Sequence, residues 1–238
     1  MTTTLFVVGL VVLTALVFDF TNGFHDSANA MATSVATGAL RPRTAVLIAA
    51  ILNVVGAFLS TEVAKTISGG MVNDAVVTPV MIFAGLVGAI LWNLVTWLFG
   101  LPSSSSHALF GGLIGAVLVG AGASGVNFSV IVSKILLPAL VAPLVAGLAA
   151  ALATWLIYKW LHRADEEPAA TWFRRGQTVS GSMIALAHGT SDGQKTMGVI
   201  TLVLITAGYQ ASGTGPQFWV IAAAGLAIGL GTYSGGWR

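Results

Sequence analysis

The chain has 238 residues, of which 56% are hydrophobic and 8% charged, and its formal net charge is +2. A soluble domain of this length cannot bury so apolar a composition in one core, so the surrounding medium is largely lipid, and scattered basic residues argue against a nucleic-acid partner. The absence of cysteine excludes disulfides and thiolate metal sites.

Continuous apolar runs lie at 4–20, 44–60, 80–100, 130–160, 196–209 and 217–230. A transmembrane helix needs about 20 such residues, and runs rich in Gly and Ala without alternation predict closely packed helices, not a β-barrel. The opening MTTTLFVVGL lacks the positive region and cleavage site of a signal peptide, so the first run is expected to stay in the chain. The run 130–160 carries Pro138 and Pro143 and is expected as one kinked helix or two pieces. Arg41 and Arg43 share a turn, and Lys159, Arg163, Arg174 and Arg175 flank the polar connection ADEEPAATWFRR. The positive-inside rule puts both on the cytoplasmic side, leaving Glu62, Lys65 and Asp74 in 61–78 outside. The tryptophans fall mostly near span ends, as interfacial anchors do.

Within apolar surroundings stand Asp19, His25, Asp26, His107, His188, Asp192 and Lys195. Charges at membrane depth are costly, so each such residue is a functional candidate. Asp19 either caps a helical piece or faces a cavity. Asp26 and Asp192 share a context, because GFHDSAN from Gly23 to Asn29 aligns with GTSDGQK from Gly189 to Lys195. Paired Gly-interrupted apolar segments in two halves predict a binding site made from broken helices, since unwound backbone at membrane depth is tolerated where it lines a polar cavity. Its carbonyls and a carboxylate would suit a small hard cation such as sodium. Asp26, Asn29, Thr33 and Ser34 recur at spacings of three and four, which places much of this oxygen-bearing group on one helical face.

A third feature is Gly100 to His107, GLPSSSSH, ahead of ALFGGLIGAVLVG. Proline and serine favour a first helical turn and its N-cap, so Ser103, Ser104, Ser105 and Ser106 predict a helix N-terminus open to an oxyanion such as phosphate. The alternative is a serine-rich surface loop. His107 has three open roles: anion donor, proton carrier or helix cap. An intramembrane hydrolase would use Ser182 or one of Ser103 to Ser106, yet no spacing singles out a serine with its base and oxyanion hole, and no enzymatic activity is expected.

NGFHDSANAMATSVATGAL, LPSSSSHALFGGLIGA and ALAHGTSDGQKTMGVI together resemble the signature segments of the Pit-type inorganic phosphate transporters in their bacterial form. The resemblance implies an all-α integral membrane fold: an inverted-repeat transporter with broken helices and a re-entrant serine-rich hairpin. It would be multi-pass in the bacterial inner membrane. Its expected parts are 1–160 as first repeat and scaffold, 161–175 as a cytoplasmic connection and 176–238 as the start of a second repeat. The implied function is import of inorganic phosphate with sodium or protons by alternating access, without a cofactor. Sulfate is the alternative oxyanion. The implied phosphate site holds Ser103, Ser104, Ser105, Ser106, Asn29 and Lys195; the cation site holds Asp26, Asp192, Asn29, Thr33, Ser34 and His107, with Asp26 and Asp192 on a transported sodium. The expected partners are phosphate, the bilayer and a second copy of the chain. Lys195 replaces an amide found in many relatives, so a fixed ammonium would stand in for a bound cation or touch phosphate, and protons or a neutral metal phosphate would be the coupled species. The family's second serine-rich tip is not present before GTYSGGWR, so the chain is expected to need a missing C-terminal half and not to transport alone.

Overall fold

The structure, a computed structural model, describes residues 2–101, 103–161 and 166–235, without the side chains of 2, 26–29, 161 and 166–169. The order is α1 (Thr2–Ala36), α2 (Pro42–Ala57), α3 (Glu62–Gly69), α4 (Pro79–Leu98), α5 (Ser105–Ala121), a 3-10 turn (Ala123–Gly125), α6 (Phe128–Ile131), a π-helical turn (Val132–Leu136), α7 (Leu137–Leu161), α8 (Glu166–Thr206) and α9 (Phe218–Gly235). Among the described residues there is no β-strand beyond one isolated bridge, between Val72 and Val126. Among the described residues four helices or fused runs are long and apolar enough to cross a membrane, and α2 and α3, bent by 59° at their break, make up to five if the pair is one span.

The expected breaks at the two Gly-x-x-Asp motifs are absent: α1 runs unbroken through Gly23, and α8 through Gly189. A glycine inside a helix costs about 1 kcal/mol, whereas each backbone group left unpaired in hydrocarbon costs several. The chain therefore stays helical. The break lies instead between Ala57 and Glu62. There the side chain of Gln194 on α8 takes over capping, its Oε1 accepting from the backbone N–H of Val63 at 2.7 Å and of Ala64 at 3.4 Å. Two segments expected as connections also hold helix: 61–78 contains α3, and the polar 161–175 is helical from Glu166 onward.

Glycines at the motifs serve packing. A Cβ on Gly23 would run into the backbone of Ile228 and Thr232 on α9, and one on Gly189 into the backbone of Asn53 on α2. Each motif helix is thus pressed against the helix that follows the other motif, and α1 packs most extensively on α9 and α2 on α8. Asn53 Nδ2 donates to Thr232 Oγ1 at 2.8 Å, tying α2 to α9 between them. The two halves interlock.

Ser34 Oγ donates to Gln177 O at 3.2 Å and Thr37 Oγ1 to Gln177 Oε1 at 2.6 Å, so the Arg41 and Arg43 turn shares one end of the bundle with Arg174 and Arg175. At the other end Asp74 accepts from the Ser212 hydroxyl, and Asn73 N and Asn127 N donate to Gly125 O and Met71 O. Arg41, Arg43, Arg174 and Arg175 therefore share one end, the one the positive-inside rule assigns to the cytoplasm, while Lys65 and Lys134 stand toward the other. The α4 and α5 hairpin starts and finishes at this second end, with its serine tip pointing inward.

The run 130–160 is one continuous helical segment interrupted by the π-helical turn at Val132–Leu136, and Pro143 is accommodated inside α7. From Val132 to Trp160 no residue is buried within the chain. This apolar surface suits lipid.

Candidate functional site

Asp19 of α1 and Asp192 and Lys195 of α8 lie together inside the bundle. Asp192 is 8% exposed and Lys195 4%, and Lys195 Nζ donates to Asp192 Oδ1 at 2.6 Å. Lys195 follows Asp192 by three positions, one helical turn, so α8 forms this pair within itself. The second carboxylate oxygen, Oδ2, accepts from Nδ2 of the buried Asn22 on α1 at 2.9 Å. His188 Nδ1 lies 3.8 Å from the same oxygen, one turn earlier on α8. A charge removed from water is tolerated when it is paired and its remaining lone pairs are satisfied, and Asp192 meets that condition through two helices. Both of its oxygens are thereby engaged, one with Lys195 and the other with Asn22.

Asp19 stands one turn before Asn22 on α1 and is wholly buried, with neither carboxylate oxygen hydrogen-bonded. Its charged neighbours are Asp192 and Lys195, and the Thr196 side chain stands beside it without closing a hydrogen bond. It caps nothing, because α1 runs straight through it. Asp19 and Asn22 belong to the site by geometry; Asp19 stood among the candidates with its role open between a cap and a cavity, and Asn22 was not singled out. Their i, i+3 spacing on a helix facing α8 was the available signal.

The serine tip is built by its two flanking helices. Gly100 takes φ +64°, open to glycine at little cost, and ends α4 with its N–H on Trp97 O at 3.2 Å while Leu101 N–H reaches Thr96 O at 2.8 Å. Ser104 is the N-cap of α5: its Oγ accepts from His107 N at 3.4 Å and lies 2.9 Å from His107 Nδ1. Trp92 Nε1 donates to Ser103 Oγ at 3.1 Å. Ser103, Ser104 and His107 line an open cavity of about 580 Å³ with Gly88, Trp92 and Gly112. Ser105 turns into the core and Ser106 is half-buried, so the four hydroxyls do not converge. The His107 ring thus lies against the Ser104 cap. The tip is level with Phe24 of α1, whose ring meets that of Trp97 edge-on at 6.4 Å between centroids.

Thr33 and Ser34 are not brought to Asp192. Thr33 is exposed, and Ser34, though buried, is spent on Gln177, which precedes Asp192 on α8 by 15 positions or about 22 Å of helix. Asp26 and Asn29 lie on α1, and their side chains are outside the described residues. Among the described residues no group of three or more His, Asp or Glu side chains is placed to hold a metal ion.

Residues 22–238 match the model of the phosphate transporter family. The chain belongs to that family. It is 54% identical over 235 residues to the probable low-affinity inorganic phosphate transporter of Mycobacterium tuberculosis (strain ATCC 25618 / H37Rv), covering 98% of this chain and 56% of that protein. It is 43% identical to the protein of the same description from Bacillus subtilis (strain 168), covering 96% of this chain and 69% of that one. The chain thus spans little more than half the length of the mycobacterial relative. A solved structure described as the sodium-dependent phosphate transporter shares the fold, with a TM-score of 0.78 at 21% identity over 97% of this chain and 76% of that one. The family member is a multi-pass, all-α protein of the bacterial plasma membrane, and its family is one of transporters, not of enzymes.

Proposed function

We propose that this chain supplies the phosphate-binding and coupling half of a secondary transporter that imports inorganic phosphate by alternating access. The observation that carries the reading is the Asp192, Lys195 and Asn22 cluster inside the bundle, reached from both motifs of a family member. An ion pair buried in membrane helices is expensive to keep, and such pairs mark ion and substrate pathways. Phosphate binds at the cavity of Ser103 and Ser104, where α5 offers its free N–H groups and the positive end of its dipole. Ser105, Ser106, Asn29 and His107 complete that site on rearrangement.

Lys195 supports proton coupling over sodium coupling. Its ammonium already occupies the oxygen of Asp192 that a sodium ion would need, and a tethered cation cannot be transported.

The test is phosphate uptake into proteoliposomes by this chain alone and by the chain joined to the C-terminal portion of the Mycobacterium tuberculosis relative. Sodium and proton gradients are imposed separately, with sulfate as competitor. Proton-driven, sulfate-insensitive uptake by the joined form is expected. Uptake that collapses when choline replaces sodium overturns the coupling, and competition by sulfate at equal concentration overturns the substrate.

A further inference from the structure

Asp19 is a carboxylate in a membrane helix with no exposed surface and no hydrogen bond to either oxygen. Two more orphans lie beside it. Asn22 Oδ1, one turn along α1, is buried and unpartnered, its amide nitrogen being committed to Asp192; on α8 the buried Thr196 hydroxyl is likewise unpartnered. Every orphan in this set is an acceptor except the Thr196 hydroxyl, which can also donate. Buried acceptors without donors cost about 1–3 kcal/mol each, more for a charged group, and the Thr196 hydroxyl, as the one donor of the set, leaves at least two of the three Asp19 and Asn22 oxygens without one.

One added proton supplies it. A protonated carboxyl is a donor and an acceptor at once, so it can donate to Asn22 Oδ1 or Thr196 Oγ1 while its carbonyl oxygen accepts from the Thr196 hydroxyl. Charge balance agrees. Facing Asp19 from α8 are Asp192 and Lys195, which neutralise each other, with His188 behind them on Asp192. The described residues of α4 and α9 carry no acidic or basic side chain, and α2 carries only Arg43, in its first turn. On α1 itself stand His25, which has interactions of its own, and Asp26. A proton on His188 instead would create a second N–H on Nε2, a buried atom with no partner. A dehydrated calcium or magnesium ion fits less well: each gathers about six or more oxygens, and the cluster offers four side-chain oxygens on two helices that run unbroken.

We propose that Asp19 is a proton-binding site, holding a proton shared with Thr196 and Asn22 at the crossing of α1 and α8. That this proton is the one coupled to phosphate rests on the transport reading above; its presence on Asp19 does not.

The test is infrared spectroscopy of the whole chain in lipid nanodiscs at neutral pH, wild type against Asp19→Asn, in H₂O and D₂O. A protonated-carboxyl C=O band that shifts in D₂O is expected in the wild type and in His188→Gln, lost in Asp19→Asn, and displaced in Asp19→Glu. A wild type without the band, or a band that survives unchanged in Asp19→Asn, overturns the proposal. Should Asp19→Asn fail to fold by circular dichroism, an undisplaced band in Asp19→Glu overturns it equally. Phosphate enters nowhere in this measurement, so failed transport and a failed proton site are separate outcomes.

Discussion

Replacing Lys195 by Met keeps the length of the side chain and removes the one cation bonded to Asp192. The pair is held at 2.6 Å with both partners buried. Removing one member of such a pair leaves an uncompensated buried charge, which costs about 3–5 kcal/mol. The second bond to Asp192, from Asn22 at 2.9 Å, is a dipole and does not restore neutrality. The double variant Asp192→Asn/Lys195→Met removes both charges, so its cost should fall well below that of Lys195→Met alone, with a coupling energy of about 2–3 kcal/mol. The assay is SDS-driven unfolding in mixed micelles, followed by tryptophan fluorescence for the wild type, both singles and the double. Costs for Lys195→Met below about 1 kcal/mol, the range of exposed ion pairs, would refute the reasoning.

Other substitutions separate the remaining arguments. Gly189→Val drives a side chain into the Asn53 backbone and should cost about 1–3 kcal/mol or more in the same assay, while Gly9→Ala, with open space around its Cα, should be near neutral. Gln194→Leu strips the cap from α3 and should raise amide hydrogen exchange across Glu62–Gly69, by an amount matching about 1–2 kcal/mol, with α4 unchanged. Ser104→Ala removes the α5 cap and one wall of the tip cavity; a stability loss of about 1 kcal/mol is expected with weaker phosphate binding by calorimetry, and Ser104→Thr should recover both.

Much of the site was legible before folding because cost in lipid is a local property. Asp192 and Lys195 stood out as charges in apolar sequence, and their spacing already made them neighbours on one helical turn. The serine run likewise announced a helix start, since an N-cap is local backbone chemistry. Thr33 and Ser34 misled for the same reason: local spacing put Ser34 on a plausible face, and it could not reveal that Gln177 would be opposite.

By itself the sequence determined the medium, the order of the apolar segments, the hairpin with its serine tip and the list of residues too costly to be idle. Only the tertiary structure decided that both motif helices stay unbroken, that their glycines admit the backbone of the other half, and that Asp192 finds Asn22 across 170 positions of chain. Helical geometry relates residues three or four apart, whereas the register between helices is set by which surfaces interlock, here α1 against α9 and α2 against α8. Asp19 became part of a site for that reason alone: its neighbours are Asp192, Lys195 and Thr196 on α8, brought beside it by packing.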